Sequence, residues 1–485
     1  IRCIAQDRDK NLLIGTNEGF NILNTATGSL NIYNPSKNGE GNLNHFYIYS
    51  IFVDNAGTVW LGNFMGGINY YHTFNQQFQY SNPGNMGQLV YGGVGPLSEN
   101  RNKLWIGTGG GGLFCYDESR NAYSRFQIED SSYVSNMIKS LFIRGDTIFI
   151  GTEESGFLIF DIRRQKVIKS IRISKNPILN IYPETGRKLF LCIRDTLGLR
   201  LFDPHTEMTV PITYINPANG RKMLFPYATC LEKENDSLYW IGTRYAGIYR
   251  FNRNNNTAVR FTNRPNDINS LCSNYVSAIY ADLRNNLWIG TGGNGLCLYD
   301  KGSGRFKTYD EKDGLSNGIV LGILPDKVGF LWISTLSGVS RFDPFNKSFK
   351  NFSYGNGYPL QEPAENSFLK LSDGKLCFGG NNGLVTISPE NIISNSFVPP
   401  IVITDFRLLR SDLKKEDLLL PRKFIADNTV IRLKHNQSSF VIQFTALNYI
   451  FPEKNQYAYQ LEGFDYDWNE VGKQRIAIYT NLHSG

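Results

Sequence analysis

The chain has 485 residues, 13% of them aromatic and 47 of them glycine, with 50 Lys and Arg against 43 Asp and Glu for a net charge of +7. That length accommodates several domains, each with a sizeable core. The basic residues are scattered, in nothing longer than pairs such as Arg163-Arg164 and Lys414-Lys415, which excludes the clustered footprint of a nucleic-acid binder, and no apolar run reaches the length of a membrane span.

From the first residue onward one short phrase recurs. It is fullest at Leu287-Trp288-Ile289-Gly290-Thr291, followed by Gly295-Leu296-Cys297-Leu298-Tyr299-Asp300. Trp60-Leu61-Gly62, Trp105-Ile106-Gly107-Thr108, Trp240-Ile241-Gly242-Thr243 and Trp332-Ile333-Ser334-Thr335 repeat it, so five of the six tryptophans share one register. Leu13-Ile14-Gly15-Thr16 and Phe149-Ile150-Gly151-Thr152 put another large apolar residue in the Trp place, and Leu189–Ile193 and Cys377-Phe378-Gly379-Gly380 are worn copies. Successive copies stand roughly 41 to 50 residues apart. A period in the forties fits β-propeller blades, and it fits helical repeats too.

The unit around Gly290 decides between them. Tyr275–Ala281, Leu287–Thr291, Leu296–Asp300 and Arg305–Tyr309 are short runs rich in β-branched and aromatic residues, split by Gly, Asn and Asp clusters. Four such runs make a four-stranded antiparallel meander, and no stretch holds an apolar 3.6-residue period for ten residues. The expected fold is all-β. The Trp supplies a flat surface for the next blade, the Gly two residues on lets a neighbour approach, and Gly295 and its counterparts turn the hairpin with positive φ. These residues read as core.

Taken in order, residues 1–85 hold two units, read as the last blades of a propeller whose start lies outside this chain. Ser81 to Pro96 reads as a linker. Residues 86–396 hold seven units, enough for a complete ring, with Pro211 to Phe225 as the main insertion. Residues 397–485 lose the period. Strands are expected there at Ile401–Leu408, Thr429–Leu433, Ser439–Leu447, Tyr457–Leu461 and Arg475–Tyr479, with a polar loop at Ser411 to Lys415, in an Ig-like β-sandwich cut short at Gly485.

Chemistry is sparse. There are seven cysteines with no CxxC, and several sit inside strands as small apolar filler, so neither a disulfide framework nor a zinc site is expected. His45, His72, His205, His435 and His483 lie far apart, and no P-loop, nucleophile elbow or dinucleotide fingerprint occurs. Acidic turns at Asp54 and Asp326 lack the further carboxylates that Ca²⁺ needs and read as Asx turns. No metal and no cofactor are expected. A ligand site would use the loops between second and third strands, which carry Phe64, Glu153, Glu154, Arg244, Tyr245, Asn294, Asn381 and Asn382. Arg244 and Tyr245 stand out because other units mostly have Gly or Asn there.

The units, ending in Tyr-Asp or Phe-Asp, resemble the propeller repeats of periplasmic sensors of hybrid two-component systems in Bacteroidetes. The runs Ser439–Tyr449, Tyr457–Trp468 and Arg475–Leu482 resemble the sandwich domain named for three tyrosines. The resemblance implies two seven-bladed propellers, then the sandwich, a transmembrane helix, a histidine kinase, a receiver and a DNA-binding regulator. It further implies a periplasmic location, a homodimer joined partly through the sandwiches, and detection of glycan breakdown products such as oligosaccharides, without catalysis by this region. Two alternatives stand beside it. One is a surface or secretion-associated scaffold without a kinase. The other is a propeller glycan lyase or hydrolase using Glu153 and Glu154, although adjacent strand residues point to opposite sides.

Overall fold

Two strand sets organise the computed structural model, which describes all residues except 35–42, 73–76, 83–92, 121, 129–136, 155, 285, 355–356, 393–396, 410–429, 435–436, 451, 453–454, 481 and 483–485. The chain divides into two compact units, Gln77–Ile392 and the combination of Ile1–Gln76 with Ile393–Gly485. The polar loop expected at Ser411 to Lys415 lies outside the described residues.

Residues 77–392 form a seven-bladed β-propeller. The innermost strands are Val94–Asn100, Ile138–Arg144, Ile178–Pro183, Ala228–Lys233, Val276–Ala281, Val320–Pro325 and Pro363–Lys370, which define blades 1 to 7 in that order. Each packs against the next, and the last packs against the first, so the ring is closed. The repeated tryptophans lie between blades: Trp105, Trp240, Trp288 and Trp332 are at most 3% exposed. Trp240, for example, meets Tyr299 of blade 5 at 5.3 Å between ring centres. Its indole N–H donates to the carboxylate six residues earlier, Glu234, and the same bond joins Trp60 to Asp54, Trp288 to Asp282 and Trp332 to Asp326. Asp54 and Asp326 also accept backbone N–H groups of their own turns, as Asx turns do.

The repeated glycine has a specific reason. A Cβ on Gly290 would stand 2.5 Å from Val320 Cγ1, and one on Gly242 would stand 2.7 Å from Val276 Cγ1. In both cases the β-branched residue that opens the next blade obstructs it, joined at Gly242 by Cys230 Sγ of the same blade at 2.5 Å. Gly379 stands in the same relation to Val94, across the junction of blades 7 and 1. The neighbour that the Gly admits is thus a β-branched side chain of the next blade, with a small side chain of its own blade beside it at Gly242 and Gly379.

Closure brings a difference from the sequence reading. Among the described residues blade 7 draws three strands from its own stretch, Pro363–Lys370, Leu376–Gly380 and Gly383–Ile387. Its fourth is Phe78–Ser81, antiparallel to Gly383–Ile387 with Phe78 opposite Ile387 and Ser81 opposite Leu384. A boundary at residue 85 would cut this sheet, and Val94 to Pro96, expected in a linker, open a strand. Phe78 pairs with this sheet because its ring fills the gap between Phe352 and Tyr358, at 5.3 and 5.2 Å. The insertion before blade 4 forms a hairpin, Thr213–Ile215 with Lys222–Leu224, and extends that blade to six strands through a parallel contact of Ile215 with Thr257.

In the other unit, Cys3–Gln6, Leu12–Gly15, Phe20–Leu23 and Leu30–Tyr33 form a four-stranded blade, and Ile48–Val53, Val59–Asn63 and Ile68–Tyr71 form a three-stranded one. Leu13, Phe20, Ile48 and Leu61 are their shared core. The Ig-like region has a sheet of Ile401–Leu408, Phe440–Ala446 and Ile476–Tyr479, and a hairpin of Tyr457–Tyr459 with Asn469–Gly472. Phe440, Phe444, Tyr457 and Tyr479 pack between them. Of the strand expected at Thr429–Leu433, Thr429 lies outside the described residues and residues 430–433 belong to no strand, while Asn469–Gly472 is a strand that the sequence reading passed over.

One cross-link contrasts with the reading of cysteine as filler. Cys272, in the connection leading to blade 5, is disulfide-bonded to Cys297 in that blade's third strand. The period alone does not reveal the pair, because Cys272 lies outside the repeated strands. Cys3, Cys115, Cys192, Cys230 and Cys377 are free. Among the described residues no helix is long and apolar enough to cross a membrane.

Candidate functional site

The repeat brings equivalent residues to equivalent spots on one face of the ring. In blades 1 to 5 and 7, the N–H just past the second strand donates to the carbonyl just before the first strand, at 3.0–3.2 Å. The pairs are Gly109 with Gly93, Glu153 with Met137, Arg194 with Pro177, Arg244 with Tyr227, Gly292 with Tyr275 and Asn381 with Glu362. The backbone is therefore the same in each, and only the side chains differ. Blade 1 carries Gly93 and Gly109 and blade 7 carries Glu362 and Asn381, while the arginines and tyrosines at these positions fall on blades 3 to 5.

On blade 2, Glu153 is fully engaged. One of its oxygens accepts from Arg194 at 2.9 Å and the other pairs with Lys139 at 3.0 Å. Glu154 is exposed beside it. Two adjacent carboxylates in this setting do not form an acid and nucleophile pair, because the oxygens of Glu153 are already held by two cations.

Arg244 is held differently. Its guanidinium lies 4.9 Å from the ring centre of Tyr275 and 5.9 Å from that of Tyr245. Tyr245 is 62% exposed, and its ring is backed edge-on by Tyr227 at 5.1 Å. The Tyr275 hydroxyl donates to Glu365 Oε1 at 2.8 Å. Burial pushes that phenol well above its ordinary pKa, and the Glu365 carboxylate adds to the shift, so the proton stays on Tyr275. Tyr275 is thereby fixed as a donor with its face toward Arg244, and the Cys272–Cys297 cross-link lies three residues from it.

Glu365 reaches this position through a bulge. Strand pairing in blade 7 jumps from Pro363 opposite Gly380 to Phe368 opposite Phe378. The extra residues cross the ring: Asn366, at φ 59, donates to Leu179 O at 3.0 Å and accepts from Asn180 at 3.2 Å, both in blade 3. Residues 364–367 escaped the sequence reading. The available signal was polar Glu365-Asn366 inside a worn unit, but the partners are 90 to 187 positions away in sequence.

The remaining expected site residues hold loops. Asn294 donates to Cys272 O at 2.7 Å. Asn381 bonds the Glu362 carboxylate, and Asn382 donates to Pro359 O at 2.9 Å. Phe64 belongs to the other unit, in a cluster of rings with His45, Tyr47 and Tyr49. Sequence reasoning missed Tyr227 and Tyr275, since the residue before a first strand carries no signal of its own. Among the described residues no group of His, Cys, Asp or Glu is placed to hold a metal.

A cavity of about 220 Å³ opens at the seam of blades 7 and 1, lined by Tyr80, Glu99, Lys103, Tyr116, Tyr123 and Lys375. It is the better enclosed space, yet several of its polar groups already bond within the protein. Tyr123 donates to Ser81, Ser372 donates to Glu99, and Lys375 pairs with Glu118. The Arg244 arc presents groups outward, and chemistry weighs more than enclosure in choosing between them.

Comparison with known proteins agrees with this architecture. Residues 448–485 match the Y_Y_Y domain family. A curated relative, Histidine kinase P4 of Formosa agariphila, is 26% identical over 474 residues, covering 87% of this chain and 32% of the relative. The structure named as the extracellular domain of the hybrid two-component system BT3049 of B. thetaiotaomicron superposes with a TM-score of 0.81 at 24% identity, over 100% of this chain and 64% of that one. That of BT4673 from the same organism gives 0.50 at 18% identity, over 100% and 65%. The chain thus spans about a third of the curated relative and just under two thirds of these structures. The matches bear out the resemblance read from the repeats and the tyrosine run, and these two solved structures are named as extracellular domains of two-component systems.

Proposed function

We propose that this chain is the ligand-sensing extracytoplasmic region of a hybrid two-component sensor histidine kinase. It binds an oligosaccharide on the face of the seven-bladed ring, between blades 3 and 5, and performs no chemistry on it. The observation that carries this reading is the uneven use of equivalent positions. Where a scaffold would repeat one residue type, this ring confines Arg194, Tyr227, Arg244, Tyr245 and Tyr275 to one arc. An exposed Tyr245 ring beside a guanidinium offers what a sugar needs, a flat apolar face and nearby donors.

Signalling follows as a population shift. A saccharide that prefers one arrangement of two protomers favours it, and the Ig-like region passes that preference toward a membrane anchor and the kinase in a periplasmic setting, where it controls glycan-utilisation genes. The kinase and its output are proposed on the resemblance and on the name of the curated relative. Titration calorimetry of the chain against neutral and acidic oligosaccharides tests the binding. One member should bind, and Tyr245→Ala should weaken it about 5- to 10-fold, as loss of one aromatic contact does, with unfolding temperature unchanged. Absence of binding across the panel, or full affinity in Tyr245→Ala, refutes it.

A further inference from the structure

We infer that the ligand carries a negative charge, a carboxylate or a sulfate ester, and that Arg244 reads it. The inference rests on the saccharide reading above and names the class within it. The cations of the arc differ in what they already hold. Lys139 and Arg194 share the two oxygens of Glu153 at 3.0 and 2.9 Å. Among the described residues Arg244 has rings as its side-chain partners and no carboxylate.

Two features keep it so. Glu365, on the hydroxyl side of Tyr275, accepts that hydroxyl at Oε1 at 2.8 Å and has no ion pair with Arg244 among the described residues. The guanidinium lies over the Tyr275 ring at 4.9 Å with the Tyr245 ring at 5.9 Å, and among the described residues it makes no hydrogen bond to a side chain. A guanidinium pre-oriented on aromatic faces loses little freedom on meeting a planar anion, and its fork matches a carboxylate or sulfate with two parallel bonds. A neutral hydroxyl would use one N–H and leave the charge uncompensated. The sugar ring then stacks on Tyr245 and the acid group points inward to Arg244.

The test uses calorimetry on the full chain with four sets of probes. They are oligogalacturonides, sulfated galactan oligosaccharides, the carboxyl-reduced or desulfated form of each, and neutral xylo- and malto-oligosaccharides. An acidic probe should bind, and its neutralised form should bind about 10- to 100-fold more weakly, the size of a charge-assisted contact. Loss on carboxyl reduction identifies a uronate, and loss on desulfation a sulfate. Arg244→Gln should lose the same factor with an unchanged unfolding temperature, Arg244→Lys should recover part of it, and affinity should fall with salt. Binding of neutral probes alone, equal binding of the neutralised form, or unchanged affinity in Arg244→Gln overturns the inference and leaves oligosaccharide sensing standing. Failure of every saccharide to bind overturns that reading and this inference with it.

Discussion

Phe78→Ala tests ring closure directly. Phe78 is 8% exposed, lies opposite Ile387, and touches Phe352 and Tyr358 edge to face at 5.3 and 5.2 Å. Moving a Phe side chain out of water contributes about 1.5–3 kcal/mol, and truncation to Ala in a core costs about 3–5 kcal/mol once the cavity is included. Phe78 sits on an outermost strand, where neighbours can relax, so about 3 kcal/mol is expected. For the unit Gln77–Ile392, an unfolding entropy of ~2.1 cal/mol/K per residue converts each kcal/mol into about 1.5 °C. Thermal unfolding followed by circular dichroism should therefore fall by roughly 4–5 °C. Hydrogen exchange at Gly383–Ile387 should quicken, because the strand that protects it is loosened. Phe345→Ala, at a residue 81% exposed, is the control. If Phe78→Ala unfolds no earlier than Phe345→Ala, the strand does not close the ring and the seven-bladed boundary is wrong.

Two further predictions concern the blades. Gly290→Ala puts a Cβ 2.5 Å from Val320 Cγ1 and 3.3 Å from Ala278 Cβ, so overpacking should lower stability by about 1–3 kcal/mol in urea titration. Gly293→Ala, with nothing within 4 Å, should be neutral, and equal midpoints for the two would remove the inter-blade role of the glycine. Glu232 is predicted to titrate near neutrality, because burial raises its carboxyl to about 7 and one N–H, from Ala281, opposes this. The native state then holds a proton that the unfolded chain releases from about pH 4.5 upward, so stability falls as pH rises from 4.5 toward 7. Glu232→Gln should be more stable than the parent at pH 8, by up to about 3 kcal/mol, and lose that advantage near pH 4.5. A pH-independent difference would show that folding does not raise the Glu232 pKa.

The sequence by itself determined the blade. Trp, Gly and β-branched residues recur in a fixed order because each strand must present the same surface to an identical neighbour, and that requirement is local. It placed Arg244 and Tyr245 on a loop and marked them as unlike their counterparts. It also marked the change of architecture at the Pro399-Pro400 stretch and most of the strands beyond it. Tertiary structure decided what lies far apart in the chain. Ser81 meets Leu384, Tyr275 meets Glu365, and Asn180 meets Asn366. Each pairing exists because a ring must close and a bulged strand crosses it, and hydrophobic periodicity within one blade carries no information about which blade stands opposite. The ring of Tyr275 that covers the Arg244 guanidinium, and the Glu365 carboxylate behind it, were fixed at that level.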